Sequence, residues 1–338
     1  MVGKFRRFID VQVPIEACTL RCEYCYITHH RKFNNKIPDF KYDVKTWKEA
    51  FKQERWGGPL LVNFCAGGET LLAPVMIDYV RATLEQGHYV MIVTNGTIDQ
   101  AFDRIAEFPK EYIERVFFKF SYHYKQLVER KLVERFFNNI RKMRDAGASY
   151  TLELTPHDEI IPYIDDIKAL AVKELGAWPH VTVARDEHYM QDLPILTKLS
   201  REDYQKVWSS FDSRLFDFKF SIFNQKRKEF CYAGDWSFVL QMRDGMLKQC
   251  YCSHLNQNIL EDPTSEIHFH PVGHFCKEPH CFNGHSWLGF GDIPTLQAPT
   301  FAEMRNRACS NGREWLTPLW GGVFATKMYN TNKQLSKV

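Results

Sequence analysis

Three cysteines crowd one short stretch near the N-terminus, Cys18-Thr-Leu-Arg-Cys22-Glu-Tyr-Cys25. A C-x3-C-x2-C run can present three thiolates to three irons of a cubane iron–sulfur cluster, which leaves the fourth iron open to an outside chelating ligand. Zinc is the competing reading. A structural zinc site closes with four ligands, and His29 or His30 would have to complete it. Cys231, Cys250, Cys252, Cys276 and Cys281 form a second group, and Cys65 and Cys309 stand alone. Ten cysteines in a chain expected in a reducing compartment are thiols for metal or catalysis rather than disulfides. Their grouping points to two separate metal sites.

A loop that holds a cluster must be fixed by the elements on either side. Ile9, Val11 and Val13 alternate with Phe8, Asp10 and Gln12, a strand that runs out just before Cys18. Asp43 caps a helix with Val44, Trp47, Ala50 and Phe51 on its apolar face. Leu60 to Cys65 reads as a strand running into Gly67–Gly68, and Pro74 opens a helix whose core face is Ile77, Val80 and Leu84. Tyr89 to Val93 is a strand ending at Thr94-Asn95-Gly96, and Arg115 to Phe120 is another. The next helix carries Leu132, Phe136, Ile140 and Met143 on one face and stops at Gly147. Tyr150 to Leu154, a helix from Pro162 to Leu175 ended by Gly176, and a strand from His180 to Ala184 complete the series. Six β-α units in succession imply an α/β fold, a partial (β/α)6 TIM-like barrel with its chemistry at the C-terminal ends of the strands. After residue 185 the pattern changes. Ser200 with Asp203 opens a helix, and Phe238–Gln241 and Met246–Gln249 flank the turn Arg243-Asp244-Gly245, a β-hairpin.

The 44 Lys and Arg against 41 Asp and Glu leave a formal charge of +3, too little to argue for a nucleic-acid or membrane partner. No uncharged apolar run approaches the ~18 residues a membrane-spanning helix needs. Met1 to Pro14 holds two arginines and no apolar core, so no signal peptide is read and a cytoplasmic location is expected. With 44% hydrophobic and 25% charged residues, the chain has an ordinary globular composition, which excludes disorder.

The cysteine loop has Tyr24 before its last cysteine, Ala66-Gly67-Gly68-Glu69 follows the second strand, and Thr94-Asn95-Gly96 ends the third. Together, over residues 5–185, these segments resemble the radical S-adenosylmethionine (radical SAM) superfamily. The resemblance implies that Cys18, Cys22 and Cys25 hold a 4Fe–4S cluster whose open iron chelates the amino and carboxylate groups of S-adenosylmethionine. It implies that Gly67, Gly68 and Glu69 bind the methionine amino group, with Asn95 beside them. A carboxylate suits an ammonium, and glycines allow close approach of the backbone. Ser121 and His123, after the fourth strand, stand where the family contacts ribose or carboxylate. An electron from a flavodoxin- or ferredoxin-like donor would cleave the sulfonium, and the resulting 5′-deoxyadenosyl radical would take a hydrogen atom from an unactivated C–H bond. Glu153 is left without a role.

Cys231 is followed by thirteen residues, Gly245, four residues and Cys250, with Cys276 and Cys281 later. This spacing resembles the SPASM or twitch extension of radical SAM enzymes. Five cysteines are too few for the full SPASM form, so the resemblance implies a twitch-type extension with one auxiliary 4Fe–4S cluster on Cys231, Cys250, Cys276 and Cys281. Cys252 is the alternative to Cys250, and a zinc site including His280 is the competing reading. His268, His270, His274 and His285 crowd the same stretch. The expected organisation is a barrel over 1–195, a helical linker over 196–230, a twitch-like domain over 231–310, and a tail over 311–338 packed on the barrel.

The expected substrate is a carbohydrate-like small molecule undergoing dehydrogenation or epimerisation, because few residues precede Cys18. The alternative is a ribosomally made peptide receiving a thioether, a crosslink or an epimerised centre. A non-catalytic zinc or iron–sulfur protein is the reading of another class. In an epimerisation a thiol must return a hydrogen atom from the opposite face, and Cys65, Cys252 and Cys309 are the candidates.

Overall fold

The computed structural model describes residues 4–189, 193–251, 255–281 and 284–335. Its strands are β1 (Arg7–Val13), β2 (Leu60–Ala66), β3 (Tyr89–Thr94), β4 (Val116–Tyr122), β5 (Ser149–Leu154), β6 (His180–Val181), β7 (Ser237–Gln241), β8 (Met246–Lys248) and β9 (Asn256–Asn258). They form a single sheet in the order β6-β5-β4-β3-β2-β1-β7-β8-β9. The strands from β1 to β6 pair in parallel, as β-α units require, and β7 also joins β1 in parallel. From β7 the chain turns back antiparallel through β8 to β9.

Both faces of the parallel strands are covered. Ile9, Val11, Val13, Val62, Phe64, Val90 and Ile92 pack under the outer helices with Trp47 and Phe102. The opposite face, reached by the alternate residues, holds Phe8, Leu61, Met91 and Phe117. Helices from the C-terminal third plug the lower half of that face. Phe8 meets Trp287 at 5.3 Å between ring centres, and Phe117 meets Phe324 at 4.7 Å. What lies above the plug, toward the strands' C-terminal ends, is the place left for chemistry. The outer helices stop where the sequence signals it: Asp43 Oδ1 accepts from Thr46 N at 2.7 Å, and Gly147 takes a φ of 109° to close the helix Val133–Ala146.

The sheet is open, as a partial barrel requires, and β7 occupies the edge of β1 that a closing strand would need. The hairpin thus extends the first sheet. Three features differ from the sequence expectation. β6 has two residues rather than five, since the chain beyond it turns to pair with 194–196 through Leu196 N–Ala184 O at 3.1 Å and an Arg185–Ile195 bridge. β4 runs to Tyr122, so Ser121 lies within the strand. β9, of sequence Asn-Gln-Asn, carries no apolar alternation that would have announced it. Among the described residues no helix is long and apolar enough to cross a membrane.

One buried histidine fastens the start of β2. His88 Nδ1 accepts from Leu60 N at 3.1 Å, and Nε2 donates to Phe51 O at 2.6 Å. Burial first, then nearby Arg115, lowers its pKa from 6.5 to about 4, against the pull of the Phe51 carbonyl. The folded value lies below the unfolded one, so the unfolded chain takes up a proton that the folded chain refuses. This contribution is whole above the unfolded value of 6.5 and is lost as pH falls through the window down to about 4. His88→Gln keeps a donor and an acceptor without titrating. Its urea-unfolding free energy should fall less than that of the parent, by about 2 kcal/mol, between about pH 7 and about pH 5. Equal acid sensitivity of the two proteins would exclude this role.

Candidate active site

Three strand ends are stitched together at one point. Gly68 N donates to Ile15 O at 2.6 Å and Glu69 N to Ala17 O at 2.9 Å, which ties the end of β2 to the segment leading into the cysteine loop. A Cβ on Gly68 would lie 2.0 Å from Ala17 O, so only glycine allows this approach. Glu69 is buried, and its carboxylate accepts from Thr94 Oγ1 at 2.6 Å, Asn95 N at 2.7 Å and Leu71 N at 3.1 Å. Burial raises the Glu69 pKa, and these three donors oppose it. Asn95 Nδ2 then donates to Thr19 Oγ1 at 2.9 Å and reaches Cys18 Sγ at 3.5 Å. The glycine–glycine–glutamate segment, the end of β3 and the cysteine loop are therefore one hydrogen-bonded unit.

Cys18, Cys22 and Cys25 face one another closely enough to act on each other electrostatically, and burial pushes the Cys18 thiol up to about 11 and the Cys22 thiol up to about 12. Backbone N–H groups point at the sulfurs: Leu20 at Cys18 (3.5 Å), and Ile27 and Thr28 at Cys25. Such donors suit thiolates that carry a cluster. The three sulfurs do not lie within 4.8 Å of one another. A zinc ion about 2.3 Å from each would draw them to about 3.8 Å, closer than they stand here. Among the described residues no histidine is grouped with these sulfurs: His30 Nε2 faces Glu187 at 3.3 Å and His29 Nδ1 faces Asp186.

Tyr24 O–H donates to His123 Nδ1 at 2.6 Å, and its ring lies 4.2 Å from that of His157. Burial lowers the His123 pKa to about 3, which keeps the ring neutral. His123 precedes the helix Tyr124–Glu129, and Ser121 lies opposite Glu153 in the β4–β5 register.

Alternation along the strands sends Asp10, Gln12, Asn63, Cys65, Lys119, Ser121 and Glu153 to the concave face above the aromatic plug. Asp10 accepts from Asn63 Nδ2 at 2.7 Å and from Tyr251 O–H. Lys119 Nζ lies 3.1 Å from Glu153 Oε1, while Arg305 holds the other oxygen. Burial alone would raise the Glu153 pKa, but Arg305, Lys119, Lys219 and His285 outweigh it and hold the carboxyl well below its usual range. Burial lowers the Lys219 pKa to about 7. His285 thus faces this chamber rather than the second cysteine group.

The candidate hydrogen donors separate. Cys65 lies within electrostatic reach of Asp10, Lys119, Glu69 and Glu153, and burial raises its thiol to about 12. Cys309 corrects the sequence expectation. Its Sγ donates to Leu175 O at 3.1 Å, beside Trp315 and the start of β5, at the opposite end of the strands from the cysteine loop. Cys252 lies outside the described residues.

Cys231, Cys250, Cys276 and Cys281 converge: Cys281 acts electrostatically on Cys231, and Cys250 and Cys276 act on Cys281. Burial pushes the Cys281 thiol up to about 12. Cys231 is held by a two-way backbone pair with Gly273, at 3.1 and 2.9 Å. No three of these sulfurs lie within 4.8 Å of one another either. Tyr251, next to Cys250, reaches back to Asp10 and so connects this group to the chamber. Polar residues at alternate positions of doubly covered strands signal Asp10, Lys119 and Glu153 in the sequence. Nothing local signals Lys219, Tyr251 or Arg305, which are brought in by later elements.

Residues 13–160 match the family model of the radical SAM superfamily. Among solved structures, Streptococcus suis SuiB bound to precursor peptide SuiA aligns with a TM-score of 0.51 at 14% identity, over 78% of this chain and 64% of SuiB. SuiB bound to S-adenosylmethionine aligns at 0.50 and 12% identity, over 77% of this chain and 64% of that one. This chain therefore spans less than two thirds of SuiB. Native anSMEcpe with bound AdoMet and Cp18Cys peptide aligns at 0.52 and 13% identity, over 76% and 78% of the two chains. At these identities the likeness is one of fold. No curated protein matches in sequence. The family match falls on the segment that carries the cysteine loop, Gly68, Glu69 and Asn95, so residues 13–160 of this chain are similar to the radical SAM superfamily.

Proposed function

We propose that this chain holds a 4Fe–4S cluster on Cys18, Cys22 and Cys25, binds S-adenosylmethionine beside it, and removes a hydrogen atom from a substrate seated in the polar chamber. The observation that carries the reading is the unit Cys18–Asn95–Glu69, which joins three strand ends around the cysteine loop. When bound, the cluster and S-adenosylmethionine supply an electron and a carbon-centred radical that no side chain provides. The electron comes from a flavodoxin- or ferredoxin-like donor.

The chain's own residues supply position. Glu69 uses three of a carboxylate's roughly four acceptor sites, which leaves one for the methionine ammonium. Gly67 and Gly68 keep the wall beside it free of side chains. Tyr24, steered by His123, offers an aromatic face, and Ser121 a hydroxyl. Cys231, Cys250, Cys276 and Cys281 hold one auxiliary cluster in a twitch-like region over residues 231–310. Tyr251 and Asp10 connect that region with the chamber. Cys65, buried among Asp10, Lys119, Glu69 and Glu153, would return a hydrogen atom if the product is an epimer.

A peptide substrate is supported by the relatives of shared fold that were solved with peptides, SuiB with SuiA and anSMEcpe with Cp18Cys. A carbohydrate-like substrate is favoured by the chamber lining of Asp10, Gln12, Asn63, Lys119 and Glu153, a set of groups that bind hydroxyls.

Two outcomes test the core of this reading. The anaerobically reconstituted protein should carry about eight irons and release 5′-deoxyadenosine on reduction, whereas the triple variant Cys18→Ala, Cys22→Ala, Cys25→Ala should keep about four and release none. Deoxyadenosine from the triple variant would refute the assignment. Glu69→Ala should keep its iron and bind S-adenosylmethionine about 10- to 150-fold more weakly in equilibrium dialysis, the equivalent of a lost charge-assisted bond of about 1.5–3 kcal/mol. Unchanged affinity would leave Glu69 a purely structural role.

A further inference from the structure

A second group of metal-type donors sits beside the cysteine loop and takes no part in the chemistry above. His29 lies in the turn of helix Tyr26–His29 that follows Cys25, and Asp186 and His188 lie on the segment that leaves β6. A nitrogen from each histidine and a carboxylate oxygen from Asp186 all lie within 4.8 Å of one another, and among the described residues this is the one such group of His, Cys, Asp and Glu. His188 Nδ1 is 2.7 Å from Asp186 Oδ1, and His29 Nδ1 is 3.9 Å from the same oxygen. The two imidazoles stack face to face with centres 4.0 Å apart.

The His29 side chain is only 4% exposed, and its Nδ1 is buried without a hydrogen-bond partner. Asp186 Oδ1 stands 3.9 Å from it, too far for a hydrogen bond, so a buried polar nitrogen is left unsatisfied beside a carboxylate. A cation held between them would give both a partner. The outer side stays open, because the His188 side chain is 56% exposed and gives an ion its way in.

We propose that His29 Nδ1, Asp186 and His188 form a site for a divalent transition-metal ion of the zinc or iron(II) kind. Two imidazoles and one carboxylate suit such ions, and the remaining positions go to water. Binding through His188 Nδ1 requires the tautomer that carries its proton on Nε2. The bound ion ties the helix after Cys25 to the segment after β6, alongside the contacts of His30 and Arg185 with Glu187 at 3.3 and 3.0 Å. It is a clasp on the rim of the chamber, separate from both cysteine groups.

The test uses the reconstituted holoprotein, whose two cysteine groups are taken by iron. It is incubated with zinc sulfate, desalted, and assayed for zinc and iron by mass spectrometry. About one zinc per chain should be retained by the parent and by His30→Ala, and essentially none by His188→Ala or Asp186→Asn, with iron equal in all four. Zinc should also raise the thermal midpoint of the parent and leave that of His188→Ala unmoved. No retained zinc on the parent, or zinc equal on parent and His188→Ala, would overturn the site. Zinc that rises only as iron falls is zinc at the cysteines and counts against it too. Because deoxyadenosine formation is not the readout, failure here is distinct from failure of the radical SAM reading.

Discussion

A single buried carboxylate organises the upper end of the sheet. Glu69 gathers donors from the end of β3 and from its own turn, and Asn95, fixed in this way, turns its amide toward Thr19 and Cys18. A buried carboxylate that lacked these partners would cost several kcal/mol, so the turn after β2 and the end of β3 are bound to one arrangement. The close approach of Gly68 to Ala17 is its steric counterpart. Together they set where the cysteine loop begins, and through it the position of Tyr24, His123 and the helix that carries His29.

The other edge of β1 carries the second organising contact. β7 adds in parallel to β1, which keeps the sheet open and brings the β7–β8 hairpin against the chamber. As a result Cys250 and Tyr251 stand at the end of β8 within reach of β1, and Tyr251 meets Asp10. The aromatic plug of Trp287, Phe290, Trp320 and Phe324 fills the lower half of the concave face, so polar residues concentrate above it. There Glu153 is shared among Arg305, Lys119 and Lys219, cations drawn from a strand and two separate helices.

Much of this was legible residue by residue. The three clustered cysteines, the glycine pair before Glu69, the alternation of β1 and the cap at Asp43 act over a few residues, and local chemistry constrains them. β6 was read too long because its last residues find partners at 194–196 rather than in the sheet. β9 was not read at all, since Asn256 to Asn258 has no apolar alternation and pairs only because β8 presents an edge. Cys309 looked like Cys65 in the sequence, but the two lie at opposite ends of the strands.

The sequence by itself determined the kinds of groups present and their local spacing: three thiols on one loop, a carboxylate after two glycines, strands that alternate, helices that start and stop at their caps. These follow from interactions between near neighbours. Only the tertiary structure decided which distant groups meet. Tyr251 at Asp10, Arg305 at Glu153 and His188 at His29 are separated by 241, 152 and 159 positions, and nothing in their own surroundings names the partner. Their meeting is set by the order of strands in the sheet and by how the C-terminal helices fill its concave face, which are properties of the whole packed chain.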